Sequence, residues 1–186
     1  MRFKLAVGAG TVAIAFACAT AHAETRATSK DQLRRGQYLV EYGGCNDCHT
    51  PKVMTPNGPA PDKARLLSGH PGGSTLPAIP PGVLGPDKWI AMTNGDLTAW
   101  VGPWGVSFAA NLTPDKETGL GLWTRDQFVK SMRTGKHLGA GRPILPPMPW
   151  WAVAALNDQD INSVFAYLQS IPPIRNKVPE PVPPPK

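Results

Sequence analysis

Proline and glycine are the feature of this sequence that most restricts its fold. The 186 residues include 22 prolines and 19 glycines, spread along the chain. Because proline breaks helix interiors and glycine weakens them, long regular elements are not expected over most of this length. No stretch alternates between apolar and polar residues for long enough to predict a sheet. The sequence therefore predicts short helices joined by long loops.

Three segments carry helix signals, with apolar residues at helical spacing and a helix-ending Gly or Pro after each. The first segment precedes two cysteines and ends at Gly43-Gly44. The second begins with a capping box of Thr124 and Gln127, and the third begins with Asn157 as the N-cap. The residues predicted to face inward are Leu33, Gly36 and Val40 on the first helix, Met132 on the second, and Ile161, Val164, Phe165 and Leu168 on the third.

The first and second predicted helices are separated by a long segment rich in Gly, Pro and Trp. Roughly eighty residues without regular structure would be unusual in a compact domain. We therefore expect this segment to wrap around a large apolar prosthetic group, with Trp89, Trp100 and Trp104 packed against it.

Residues 1–23 have the pattern of a secretory signal peptide. A short basic start precedes an apolar run from Leu5 to Thr20, and Ala21-His22-Ala23 has the small-x-small pattern of a cleavage site. The mature chain is then expected to begin at Glu24. An uncleaved N-terminal anchor is the alternative for this segment, and lipidation of Cys18 fits its preceding residues poorly.

Once the signal peptide is removed, two cysteines remain, and they form the motif Cys45-x-x-Cys48-His49. Two thiols three residues apart with an adjacent imidazole are the signature of covalent haem attachment. A redox-active dithiol is an alternative, although such pairs usually follow a strand. A zinc site would need a second ligand pair, and the other histidines of the mature chain, His70 and His137, are isolated. Export also favours haem.

If His49 binds haem iron, a second axial ligand is required on the opposite face. Met148 lies in the stiff motif LPPMPWW just before the last predicted helix, and is the preferred candidate. Met54 follows His49 too closely to cross the haem plane easily, and Met132 is better explained as a core residue. The remaining competitors are His137, His70 and, in an ambiguous context, Met92.

Four motifs of this chain together resemble a known family. GGCNDCHTP, FAANLTPDKETGLGLWTRDQF, LPPMPWW and LNDQDINSVFAYLQSIPP occur in the order found in one module of the cytochrome c subunit of bacterial membrane-bound alcohol and aldehyde dehydrogenases. The resemblance covers most of residues 32–178. It implies that Cys45 and Cys48 attach one haem c covalently, and that His49 and Met148 are the axial iron ligands.

The resemblance also implies a fold. It predicts a mostly α, cytochrome c-like domain over residues 24–175, with a long Gly/Pro/Trp-rich loop insertion, followed by a Pro-rich tail over residues 176–186. Gly36, Val40 and Tyr167 would lie where the first and last helices cross. The family's subunits carry three such modules and this sequence contains one, so it could not relay electrons between haems of its own.

The predicted function is single-electron transfer without substrate chemistry, so the chain is not expected to be an enzyme in itself. The expected partners are a periplasmic dehydrogenase as donor and a cytochrome or terminal oxidase as acceptor, and a membrane-associated complex is one form that this pairing could take. The alternative is a haem protein with a labile sixth site that acts as a peroxidase-like enzyme or a ligand sensor. Loss of the two cations in the signal peptide lowers the formal net charge from +6 to +4, and no basic stripe predicts nucleic-acid binding.

Overall fold

The computed structural model describes residues 30–184, in which short helices alternate with two small sheets. The helices are α1 (residues 30–42), α2 (Cys45–His49), α3 (Arg125–Thr134), a 3-10 turn (His137–Gly139), α4 (Trp150–Ala154) and α5 (Asp158–Ser170). The strands are β1 (Lys52–Thr55), β2 (Gly58–Pro61), β3 (Met92–Thr93), β4 (Ala99–Gly102) and β5 (Gly105–Phe108).

The predicted signal peptide, residues 1–23, and the predicted mature start at Glu24 lie outside the described residues, as do the last two residues of the tail. Within residues 30–184, no helix is both long and apolar enough to cross a membrane.

The first and last helices cross at a glycine, as the sequence predicted. A methyl group at Gly36 would lie 2.0 Å from the Ser163 carbonyl oxygen and 2.7 Å from Tyr167 Cβ, so only glycine allows this approach of the two backbones. Beside the crossing, the Arg35 guanidinium donates to both carboxylate oxygens of Asp160, at 2.8 and 2.9 Å, and forms a bidentate ion pair. The crossing therefore fixes α1 on α5 through close contact and one charged pair.

The predicted helix starts are confirmed by their capping hydrogen bonds. At α3, the Thr124 hydroxyl accepts from the Gln127 backbone N–H, and the Gln127 side chain accepts from the Thr124 N–H. At α5, the Asn157 side chain accepts from the Asp160 N–H at 2.8 Å. The single-turn helices α2 and α4 were not predicted, because five residues are too few to show helical periodicity.

Helices α1, α3 and α5 supply most of the buried apolar side chains. The Phe128 and Phe165 rings stack with centroids 5.2 Å apart, which joins α3 to α5. The predicted inward-facing residues are confirmed as buried, except that Leu33 is only half-buried. The buried apolar cluster consists of Val40, Leu67, Leu120, Phe128, Met132, Ile161, Val164, Phe165 and Leu168.

The expectation that no sheet forms was wrong. Strands β1 and β2 pair as an antiparallel hairpin, in which Thr55 is opposite Gly58 across the two-residue turn Pro56-Asn57. Strands β3, β4 and β5 form a second antiparallel sheet in that order. Each strand has only two to four residues, too few for alternation to be recognised in the sequence. The Asn-Gly step after Pro56 was the available hairpin signal.

The predicted loop insertion is therefore partly structured. Trp100 lies on β4, and Trp104 lies in the β4–β5 turn, where its ring covers Gly102 and its N–H donates to the Ser107 hydroxyl. Trp89 is 70% exposed. The three tryptophans are thus in different environments, and their packing against a prosthetic group stays a prediction.

The chain after α5 lies against the rest of the protein. The backbone of Val182 pairs with that of Val106 on β5 through two hydrogen bonds of 2.8 and 2.9 Å. The Asn111 side chain donates to the Ile174 carbonyl, and the Thr118 hydroxyl accepts from the Asn176 N–H. The Pro-rich chain after α5 is thus attached to the middle of the protein by specific hydrogen bonds.

Candidate functional site

The two cysteines and the histidine of the motif lie together on the single-turn helix α2. Gly44 has a left-handed backbone (φ +65°), which allows the chain to turn sharply from α1 into α2. At the other end, Lys52 Nζ donates to the carbonyl oxygens of Asn46, Asp47 and Thr50, which satisfies groups that a helix end leaves unpaired. A helix of one turn is thereby held in place from both ends.

The His49 imidazole is buried and has a defined hydrogen-bond partner. Its exposure is 8%, and its Nδ1 lies 2.7 Å from the carbonyl oxygen of Ala110. A carbonyl oxygen can only accept, so Nδ1 carries the proton. Burial lowers the pKa of His49, which keeps the ring neutral and leaves the lone pair on Nε2. Nε2 makes no hydrogen bond with any residue of the described part of the chain. This is the tautomer that can bind a metal ion through Nε2.

The Cys45 and Cys48 thiols are free and partly buried. Burial raises the pKa of Cys45 to about 11, and burial followed by the Asp47 carboxylate raises the pKa of Cys48. Redox-active dithiols instead have a lowered thiol pKa. The environment of this pair therefore does not match the dithiol alternative.

Across residues 30–184, no three His, Cys, Asp or Glu side chains are grouped so as to hold a metal ion.

Met148 is half-buried and packs against the same apolar cluster as Cys45. Its loop is fixed on two sides. The Ser107 hydroxyl of β5 donates to the Pro146 carbonyl, and the Trp150 ring lies over Gly135, where a methyl group would be 2.5 Å from the indole. Its role as axial ligand stays a prediction, and the structure brings Met148 and the cysteine helix to one core.

The competing ligand candidates lie in other environments. Both ring nitrogens of His70 are engaged, by the Thr98 hydroxyl at 2.7 Å and the Ser74 hydroxyl at 2.8 Å, so His70 is a satisfied core histidine. His137 is exposed and meets the Trp123 ring edge-on. Met132, on α3, is buried in the apolar cluster. The other two methionines are Met54, which is 79% exposed on β1, and Met92, which lines an apolar cavity of about 200 Å³ beside β3.

Two residues that position the site, Ala110 and Ser107, were not predicted from the sequence. Ala110 supplies the backbone carbonyl for His49, and Ser107 supplies the hydroxyl for the Met148 loop. A backbone carbonyl leaves no signature in residue type, so Ala110 could not be found from the sequence. The NLTPD motif that begins at the next residue, Asn111, was the only nearby signal.

These side chains fit a covalently bound haem c. One helix presents two thiols and, directly after the second, a neutral imidazole with a free ring nitrogen. A methionine thioether lies against the same apolar cluster. Imidazole nitrogen and thioether sulfur are ligands that suit haem iron, and thiols suit thioether bonds to its vinyl groups.

Three relatives among curated proteins are informative. The alcohol dehydrogenase (quinone) cytochrome c subunit of Gluconobacter oxydans is 27% identical over 183 residues, which is 96% of this chain and 29% of that subunit. The gluconate 2-dehydrogenase cytochrome c subunit of Pantoea cypripedii is 27% identical over 135 residues, 73% of this chain and 22% of that subunit. The fructose dehydrogenase cytochrome subunit of Gluconobacter japonicus is 37% identical over 68 residues, 37% of this chain and 14% of that subunit. No family model matches the chain.

The chain resembles one module of dehydrogenase cytochrome c subunits. The resemblance predicted from the four sequence motifs is thereby confirmed. The cytochrome c homologues support a cytochrome fold for this module. The chain spans less than a third of the length of each relative named above.

Proposed function

We propose that this chain is an exported, single-haem c-type cytochrome that carries electrons one at a time and catalyses no reaction of its own. The observation that carries this proposal is the His49 ring, which directly follows the two thiols, is buried, and donates through Nδ1 to Ala110. A histidine held in this way presents Nε2 as an iron ligand. The cytochrome c homologues support the electron-transfer part of this proposal.

Each residue of the site has a separate task in this proposal. Cys45 and Cys48 would hold haem c through thioether bonds, and His49 and Met148 would bind its iron. When bound, haem c supplies a reversible one-electron couple between ferric and ferrous iron. Met148 would also keep small ligands from the iron, because it would leave no open position on it. The helices α1, α3 and α5 form the apolar core of a cytochrome c-like fold around this site.

The electron donor in this proposal is a dehydrogenase, and the acceptor is a downstream cytochrome or terminal oxidase. Relatives of this chain are named as cytochrome subunits of alcohol, gluconate and fructose dehydrogenases, which supports a dehydrogenase as the redox partner. The signal-like pattern of residues 1–23 supports a periplasmic location. A membrane-associated complex with the partner is compatible with these relatives.

Covalent haem attachment is tested by intact-mass spectrometry of the purified protein. We expect the mass of the chain plus one haem, and we expect the haem to remain on the chain in acidified butanone. A Cys45→Ala, Cys48→Ala double variant is the control and should carry no covalent haem. Free thiols at both positions in the wild type would contradict the proposal.

The sixth ligand is tested by Met148→Leu, with Met132→Leu as the matched control. Leucine is close to methionine in size but lacks the sulfur, so the loop packing should survive. We expect Met148→Leu to lower the reduction potential, to abolish the weak far-red sulfur-to-iron band, and to let the ferrous protein bind carbon monoxide readily. Met132→Leu should change none of these. Avid carbon monoxide binding by the wild type would instead favour the open-site peroxidase or sensor.

A further inference from the structure

We propose that Asn176, in the segment after α5, is a positioning residue that holds the Ala110 carbonyl against the His49 ring. The inference rests on the proposed function, in which His49 binds the haem iron. Asn176 lies far from the cysteine motif in sequence, and no sequence pattern predicts a role for it in the site. It reaches the histidine through one short loop, residues 68–72.

The Asn176 side chain uses all of its polar groups on this loop. Its amide nitrogen donates to the Ser68 carbonyl at 2.7 Å and to the His70 carbonyl at 2.8 Å. Its amide oxygen accepts from the Gly72 N–H at 2.8 Å. A single side chain therefore fixes three backbone groups of one loop. Two of these groups belong to Ser68 and His70, the residues on either side of Gly69.

Gly69 connects the two partners of the histidine hydrogen bond. Its backbone N–H donates to the His49 carbonyl at 2.7 Å, and a methyl group on its α-carbon would lie 2.6 Å from the Ala110 carbonyl carbon and 2.7 Å from its oxygen. Its φ is +78°, a conformation that favours glycine. Gly69 is thus in close contact with both His49 and Ala110, so a displacement of residues 68–70 would disturb the position of the carbonyl relative to the ring.

The segment that contains Asn176 also holds the chain that follows Ala110. Asn111, the next residue, is 3% exposed and donates to the Ile174 carbonyl at 2.8 Å. The Asn176 backbone N–H donates to the Thr118 hydroxyl at 3.0 Å. Residues 174–176 therefore hold Ala110 through its neighbour in sequence as well as through the loop at residues 68–72.

The chemical consequence concerns the electron donation of the histidine. An N–H···O=C bond at Nδ1 raises the basicity of the ring and so favours the more highly charged ferric iron. Loss of the Asn176 side chain would release the loop at residues 68–72. The hydrogen bond from His49 Nδ1–H to the Ala110 carbonyl would then weaken. We therefore expect a more positive reduction potential, together with faster solvent exchange of the His49 Nδ1 proton.

The test compares the variants Asn176→Ala and Asn176→Leu with the wild-type haem protein. Leucine keeps the branched shape and the number of side-chain heavy atoms while removing all three hydrogen bonds. Both variants should shift the reduction potential upward, and NMR of the ferrous protein should show Nδ1–H exchange accelerated by roughly tenfold. Thr118→Val, which removes the hydroxyl that bonds to the Asn176 N–H, should shift both quantities in the same direction by less. Asn57→Ala, at an exposed hairpin turn, is the control and should change neither.

Two failures are distinguishable. Variants that keep covalent haem and folded spectra, yet show the wild-type potential and exchange rate, overturn the positioning role alone. A wild-type protein without covalent haem overturns the proposed function, and this inference with it. The Thr118→Val variant decides the matter if both Asn176 variants prove too unstable to purify.

Discussion

The helical region and the middle segment of this chain are held together by different forces. Helices α1, α3 and α5 bury a continuous apolar cluster, and Ile161 at its centre is completely inaccessible to solvent. The middle segment, residues 52–108, contributes only Leu67 and Ala99 to the buried apolar residues. It leaves many large apolar side chains exposed, namely Val53, Met54, Leu66, Ile79, Trp89, Ile90 and Leu97.

Buried polar groups stabilise the middle segment instead. His70 is 1% exposed and bonds to the hydroxyls of Thr98 and Ser74, while Thr98 in turn donates to Asp96. Apolar packing tolerates exchange of one hydrophobic side chain for another, whereas such a network needs each partner in place. The helical region therefore follows from a residue pattern, whereas the middle segment depends on individual pairs of residues.

The largest effect is expected at the helix crossing. Gly36→Ala places a methyl group 2.0 Å from the Ser163 carbonyl oxygen, so α1 and α5 must separate. We expect a loss of about 3 kcal/mol or more in the free energy of unfolding, measured by chemical denaturation. Gly95→Ala is the matched change in the middle segment, where nothing lies within 4 Å of the added group. It should change stability by less than about 0.5 kcal/mol. Equal effects at the two glycines would contradict the close approach of α1 and α5 at Gly36.

A smaller effect is expected where the sheet holds the Met148 loop. Ser107→Ala leaves the Pro146 carbonyl and the Trp104 N–H without their partner. We expect a loss of about 2 kcal/mol in the free energy of unfolding, with some gain in carbon monoxide binding by the ferrous protein as the loop loosens. Ser170→Ala, which removes only a local bond to the Tyr167 carbonyl at the end of α5, is the control. An unchanged Ser107→Ala protein would show that the sheet does not support the loop.

The smallest effect concerns acid sensitivity. The hydrogen bond from Arg35 lowers the pKa of Asp160, so this carboxylate contributes stability above its unfolded pKa of about 3.9. That contribution is lost as the pH falls through the lowered folded pKa. Asp160→Asn should therefore be less stable than wild type near neutral pH, with the difference shrinking below about pH 4.

Asp62 provides the matched case in the middle segment. Its pKa is also lowered by an arginine hydrogen bond, but Arg65 is only three residues away along the chain. A local pair also forms in part in the unfolded chain, so the Asp62 pair adds less pH-dependent stability. Asp62→Asn should therefore reduce the loss of stability at low pH by less than Asp160→Asn does. Denaturation midpoints between pH 2 and 7 compare the two variants, and a larger effect at Asp62 would reverse the interpretation.

Part of the candidate site was accessible from sequence, and part was not. The side chains of Cys45, Cys48 and His49 are recognisable because their chemistry requires those residue types at that spacing. The carbonyl of Ala110 and the amide of Asn176 act through backbone geometry and long-range contact, for which no residue type is diagnostic. The same holds for Ser107, because its role depends on the sheet that places its hydroxyl beside the Pro146 carbonyl.

The sequence by itself determined the three longer helices, α1, α3 and α5, because each of them is encoded locally. Caps at Thr124 and Asn157, the apolar spacing of α5 and the breakers at its end act over a few neighbouring residues. Only the tertiary structure decided the path of the middle segment and of the tail. Leu67 illustrates the reason: its backbone is left-handed (φ +59°), which leucine disfavours by itself. It is held there because its N–H meets the Thr50 hydroxyl and its carbonyl meets the Leu112 N–H, two partners that come from distant parts of the chain.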